Sequence, residues 1–169
     1  QHTAGGVAAA IDAFSSTIRI ESLYLSDYKQ KKSQTQTGLG FERALDEKWT
    51  FVFEALYQSA GKDSFKNLAT NPNRFMALAG KSYLLPYVTY QMSPLWTFNF
   101  GTLAGLNGKV SYVGIGGFEH SLNDNTTLTM KIKWPFGSAR GEFGEERVNA
   151  FGKTAGMSST AFLQLQTTF

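Results

Sequence analysis

Cysteine is absent from this chain, histidine occurs twice and proline four times. Without thiols there is no disulfide scaffold, no thiolate metal site and no cysteine nucleophile. Nothing in the sequence has the spacing of a phosphate loop, a zinc motif or a nucleophile elbow, so no cofactor, metal site or catalytic residue is expected. No stretch approaches 18 consecutive apolar residues, which excludes a transmembrane helix. Charge is sparse as well: 17% of the residues are charged against 42% apolar, and the formal net charge is only +3. That balance excludes wholesale disorder. Mean hydropathy falls just below zero, but such an average hides a chain that is apolar only at alternate residues.

What is present points to strands. Seventeen glycines accompany 14 phenylalanines, seven tyrosines and three tryptophans; aromatic side chains fit a pleated surface and glycine fits tight corners. Residues 161–169 alternate Ala161, Leu163, Leu165, Thr167 and Phe169 with Phe162, Gln164, Gln166 and Thr168. Residues 126–136 set Leu128, Met130, Ile132, Trp134 and Phe136 against Thr127, Thr129, Lys131 and Lys133. Trp96, Phe98 and Phe100 oppose Thr97, Asn99 and Gly101; Leu84, Pro86, Val88, Tyr90 and Met92 oppose Tyr87, Thr89 and Gln91; Trp49, Phe51, Phe53, Ala55 and Tyr57 oppose Thr50, Glu54 and Gln58. Leu39 and Phe41 oppose Gly38, Gly40 and Glu42. In residues 110–121 the phase is ambiguous, and Tyr112, Phe118 and His120 are assigned to the apolar face so that Glu119 is not. Residues 17–27 fit least well, because Leu23 and Leu25 change sides relative to Ile18 and Ile20.

This periodicity predicts strands at 16–28, 36–45, 48–59, 82–92, 95–105, 110–121, 126–136 and 158–169. Strands in globular proteins average about five or six residues, whereas a tilted bilayer crossing needs about 9 to 11. The long connections, 60–81 and 137–157, fall on one side, opposite the C-terminus, as in membrane barrels with short turns at one rim. Trp49, Trp96 and Tyr90 would mark one membrane boundary, with Trp134, Tyr57, Tyr83 and Tyr112 at the other. The expectation is an all-β fold: a transmembrane antiparallel up-and-down β-barrel of about eight strands, with 1–169 a single domain. Val7, Ala9, Ile11 and Ala13 alternate too. Either residues 6–28 form one long bulged strand, or a ninth strand makes the chain part of a larger barrel, since even strand counts are the rule. The opening QHTAGG, without methionine or an apolar leader, reads as a mature product or an excerpt. Residues 73–80 read as a short helix between Asn73 and Gly80.

The closing segment SSTAFLQLQTTF resembles the C-terminal insertion signal of bacterial outer-membrane β-barrel proteins, with Leu163, Leu165 and Phe169 carrying it. Thr167 is less apolar than that pattern prefers and Thr168 is not aromatic. About 100 C-terminal residues also look like the last strands of porin-like barrels. The resemblance implies a multi-pass outer-membrane location and recognition by the barrel-assembly machinery. It leaves function open, because one barrel architecture serves pores, enzymes, adhesins and scaffolds.

The reading that follows is a passive structural or porin-like role. Arg19, Glu21, Glu42, Glu54, Asn99, Glu119, Lys131, Lys133, Gln164 and Gln166 would line the lumen, either pairing into a closed polar core or bordering water. Lys29, Lys31, Lys32, Lys62, Lys66, Arg74 and Lys81 would face the phosphates of lipopolysaccharide in the outer leaflet. Nucleic-acid binding is disfavoured, because these cations are spread over loops without interleaved aromatics. A lipid-modifying enzyme is the competing class, using His120 with Ser121, although Glu119 points to the opposite face of the strand and cannot orient His120. The run Glu142 to Arg147 carries Glu145 and Glu146 and is read as a solvated loop, with a cation site as the alternative. A subunit or fragment of a larger pore is a further alternative, and a soluble barrel of lipocalin type, with an apolar interior, a third class.

Overall fold

A computed structural model describes residues 2–27, 32–61, 80–138, 142–143 and 159–167. They form nine strands: β1 His2–Ala13, β2 Ser16–Asp27, β3 Lys32–Ala44, β4 Trp49–Gln58, β5 Ser82–Ser93, β6 Trp96–Gly105, β7 Ser111–Asn123, β8 Thr126–Gly137 and β9 Thr160–Thr167. All nine belong to one sheet in sequence order, each antiparallel to the next. The alternation of Val, Ile, Phe, Tyr and Thr with polar residues produces these strands, since β-branched and aromatic side chains pack best on a pleat with one face apolar.

Eight of the strands lie where period two places them. The N-terminal region differs from the eight-strand expectation. Residues 6–28 are not one bulged strand but a hairpin, with β1 and β2 paired without interruption from His2↔Asp27 to Ala13↔Ser16. Its turn, Phe14–Ser15, has positive φ at both residues, 51° and 57°, the backbone of a type I′ turn whose twist matches that of the flanking strands. The sheet is also not closed: among the described residues β1 pairs with β2 alone and β9 with β8 alone. β3 begins at Lys32, so Lys32 and the residues to Thr35 belong to a strand and not to the preceding loop. Pairing with β2 extends the ladder that far.

The two longest connections, 59–81 and 138–159, leave the same end of the sheet. At one end lie the turns 14–15, 45–48, 94–95 and 124–125; at the other lie 28–31, 59–81, 106–110 and 138–159. The short turns are held by local acceptors. Asp46 Oδ1 accepts from the backbone N–H of Lys48 at 2.8 Å and of Trp49 at 2.7 Å. Asn123 Oδ1 accepts from Asn125 N–H at 3.0 Å. Register shifts occur at Gln91/Ser93 and Ser121/Asn123, both beside short turns.

Register divides the side chains into two faces. The first face carries Val7, Ile11, Ile18, Ile20, Leu39, Phe41, Phe51, Phe53, Val88, Phe98, Phe100, Ile132, Trp134, Leu163 and Leu165 as cross-strand neighbours. Much of it is exposed, from 71% at Val7 and 67% at Leu163 to 37% at Ile132. β2 has no bulge, so Leu23 and Leu25 do fall on the second face, opposite Gln36 and Gln34. The buried cluster also lies on that second face, at its long-loop end: Tyr83, Val113 and Phe143, packed with Leu56, Leu103 and Ile115.

Candidate functional site

Every residue predicted to line a lumen shares the second face. Arg19 and Glu21 stand on β2, Glu42 on β3, Glu54 on β4, Asn99 on β6, Glu119 on β7, Lys131 and Lys133 on β8, and Gln164 and Gln166 on β9. Asp12 joins them from β1 and accepts a 2.6 Å hydrogen bond from Thr17 Oγ1. The Arg19 guanidinium pairs with Glu42 at 2.9 Å, and the Lys131 ammonium lies 3.9 Å from Glu119. Thr89 Oγ1 donates to Asn99 Oδ1 at 3.2 Å. The ion-pair side chains remain 43–49% exposed. At that exposure each pair contributes about 0–1 kcal/mol, so they set charge placement more than stability.

The long-loop end of this face is arranged differently. Tyr83, expected at the external aromatic boundary, lies at the long-loop end but points to the second face, opposite in parity to Leu84 and Tyr90, and is only 2% exposed. Its hydroxyl accepts from Gly80 N–H and donates to Glu142 Oε2. The Phe143 ring packs against Tyr83 with centroids 6.4 Å apart, and Phe143 N–H donates to Ser111 Oγ at 3.1 Å. Gln58 Nε2 donates to Gly80 O. Asn107 Oδ1 accepts from Lys81 and Ser82 N–H at 2.7 and 2.8 Å. The β8–β9 connection therefore turns back onto the sheet at Glu142–Phe143. Glu142, 3% exposed, is buried, whereas the sequence reading treated this run as a solvated loop. An isolated phenylalanine in a polar, glycine-flanked segment was the one signal available, and alternation gives such a residue no partner.

The basic set divides between described and undescribed segments. Lys29, Lys31, Lys62, Lys66 and Arg74 lie outside the described residues, as do most of the helix read at 73–80, Glu145, Glu146 and Phe169. Lys32 begins β3 and Lys81 precedes β5, both at the long-loop end. Lys81 is tied to the sheet through its backbone, its carbonyl accepting from Gln58 N–H at 2.8 Å. Leu163 and Leu165, which carry the resemblance to an insertion signal, sit on the first face of β9, beside Met130 and Leu128.

At the short-turn end the first face is aromatic. Trp49 stacks on Tyr90 with centroids 4.4 Å apart, and Trp96 stacks on His120 at 3.9 Å and packs near Phe118 at 5.4 Å. His120 Nδ1 lies 3.2 Å from Leu95 O, its acceptor. Ser121 and Glu119 belong to the other face, so neither serves the imidazole as a hydroxyl to activate or a carboxylate to orient it. Among the described residues no group of three or more His, Cys, Asp or Glu is placed to hold a metal ion.

No family model matches the chain, and neither the curated proteins nor the solved structures contain a significant match to it.

Proposed function

We propose that the chain forms the wall of a bacterial outer-membrane β-barrel with a passive, porin-like role, its first face against lipid and its second face toward an aqueous lumen. One observation carries this: a mainly apolar, largely exposed face runs across all nine strands, interrupted by Arg43 beside the 45–48 turn, while most ionic and amide groups of the strands occupy the other face. Nine strands about 4.8 Å apart span roughly 43 Å. A twelve-residue strand such as β1, at about 3.3 Å per residue and tilted about 45°, rises roughly 28 Å. That height suits the apolar band of an outer membrane, and an apolar surface on the order of 1,000 Å² exceeds what soluble monomers tolerate. That both of the longest connections, 59–81 and 138–159, lie at one end further supports the reading.

In this reading the aromatic groups around Trp49 and Trp96 sit at the periplasmic boundary and Trp134 at the external one. The basic residues of the long loops face lipopolysaccharide phosphates, and replacing Lys29, Lys31, Lys62 and Lys66 with glutamine weakens that binding. β9, with Leu163 and Leu165, is the strand engaged by the assembly machinery. Fractionation tests the whole proposal: the protein stays with outer-membrane vesicles through alkaline carbonate and urea, and brominated lipid quenches its tryptophan fluorescence. Release into buffer without detergent, with unquenched tryptophans, would contradict it.

A further inference from the structure

We infer that β1 and β9 are pairing edges completed by an odd number of further antiparallel strands, and that a second copy of this chain does not complete them. The inference rests on the membrane reading above, and three observations lead to it.

The first is the character of the two edges. Solvent-facing edge strands are normally blunted by proline, lysine, bulges or short length. β1, twelve residues long, has no proline or lysine and pairs with β2 in uninterrupted register. β9 has no ionisable residue at all in TAFLQLQT. Every second N–H and C=O along each strand points away from the sheet, and hydrocarbon offers those groups no water.

The second is where the apolar face is most exposed. Among the large apolar residues on strands, Val7 and Ile11 at one edge and Leu163 and Leu165 at the other have the highest exposures, 71%, 68%, 67% and 62%. Side chains of a neighbouring strand normally flank such residues at about 5 Å; among the described residues each has a flanking strand on one side.

The third is parity. In an antiparallel sheet ordered β1 to β9, the first and last strands run in the same direction. Joining them, within the chain or between copies inserted in the same sense, gives a parallel ladder, which is slightly less stable per residue than an antiparallel one. A two-fold pairing of β1 with β1 of a second copy is antiparallel, but it inverts that copy and sends its long loops to the wrong side of the membrane. An odd number of intervening strands removes the conflict and gives the even total usual for bacterial barrels. The partner strands must carry apolar residues beside Val7, Ile11, Leu163 and Leu165, with polar or small residues at alternate positions.

The test places a photo-crosslinking residue singly at Val7, Ile11, Leu163 and Leu165 in the protein as the cell makes it. Crosslinked peptides are sequenced from both the detergent extract of the envelope and the soluble fraction. The expected result is capture at both edges of alternating segments other than β1 to β9. The captured position should move toward the partner's N-terminus as the probe moves from Val7 to Ile11 or from Leu163 to Leu165. Crosslinks joining β1 to β9, or either edge to itself in a second copy, would overturn the inference, and so would an edge that captures nothing. Recovery without detergent breaks the membrane reading on its own, while the crosslink map still decides the pairing.

Discussion

Two neighbouring residues, Phe14 and Ser15, carry the least favourable backbone in the sheet. Both hold positive φ without being glycine, at a cost of roughly 1–2 kcal/mol each for an L-residue. Replacing the pair with Asn-Gly, the sequence that a type I′ turn favours, should raise stability by about 1 kcal/mol, read as a higher urea midpoint in detergent. A lower midpoint would mean that the phenyl ring, 95% exposed, contributes more than the turn loses. Gly114 gives a second test. A Cβ there would lie 2.2 Å from Trp134 Cε2, because the indole lies over this glycine from the paired strand, whereas nothing lies within 4 Å of a Cβ at Gly38. Gly114→Ala should therefore cost about 1–3 kcal/mol by displacing the indole and shift the Trp134 emission. Gly38→Ala should be neutral or slightly stabilising. Equal effects at the two sites would contradict this picture of the Trp134 seat.

At the scale of elements, the returning segment Glu142–Phe143 fastens the β8–β9 connection to β5 and β7 through Tyr83, Val113 and Ser111. Removing its ring with Phe143→Ala should cost about 3 kcal/mol in equilibrium urea unfolding, with little change in strand content by circular dichroism. A cost below about 0.5 kcal/mol, the ordinary size for a surface substitution, would show that the ring does not anchor the connection. This contact was not legible in the sequence, because it joins residues 59 apart and obeys no local period. The strands were legible: along β3 to β9 the period-two split chose the face that register now assigns, including Tyr112, Phe118 and His120 in the ambiguous seventh strand, except at Met92, which the register shift at Gln91/Ser93 leaves unpaired. The hairpin of β1 and β2 was harder, since Phe14–Ser15 lacks the glycine or asparagine that marks such a turn. Leu23 and Leu25 suggested a change of phase where the strand is continuous and merely places two leucines on the polar face, with Leu23 against Gly6.

At the scale of the molecule, local patterns give eight strands and two unlike faces, with the ninth strand, β1, only an alternative; closure depends on partners far apart in sequence or outside these strands. The ten residues predicted to line a lumen were recovered as one face because alternation alone decides sides. The central claim concerns which face meets lipid. The chain has no cysteine, so single cysteines at each position from Leu128 to Phe136 can carry a nitroxide without background labelling. Power-saturation spectroscopy in vesicles then compares collisions with oxygen, which concentrates in lipid, against a water-soluble nickel chelate. The account predicts period-two alternation, with Leu128, Met130, Ile132 and Trp134 favouring oxygen and Thr129, Lys131 and Lys133 favouring nickel. The opposite phase, or no alternation, would contradict it.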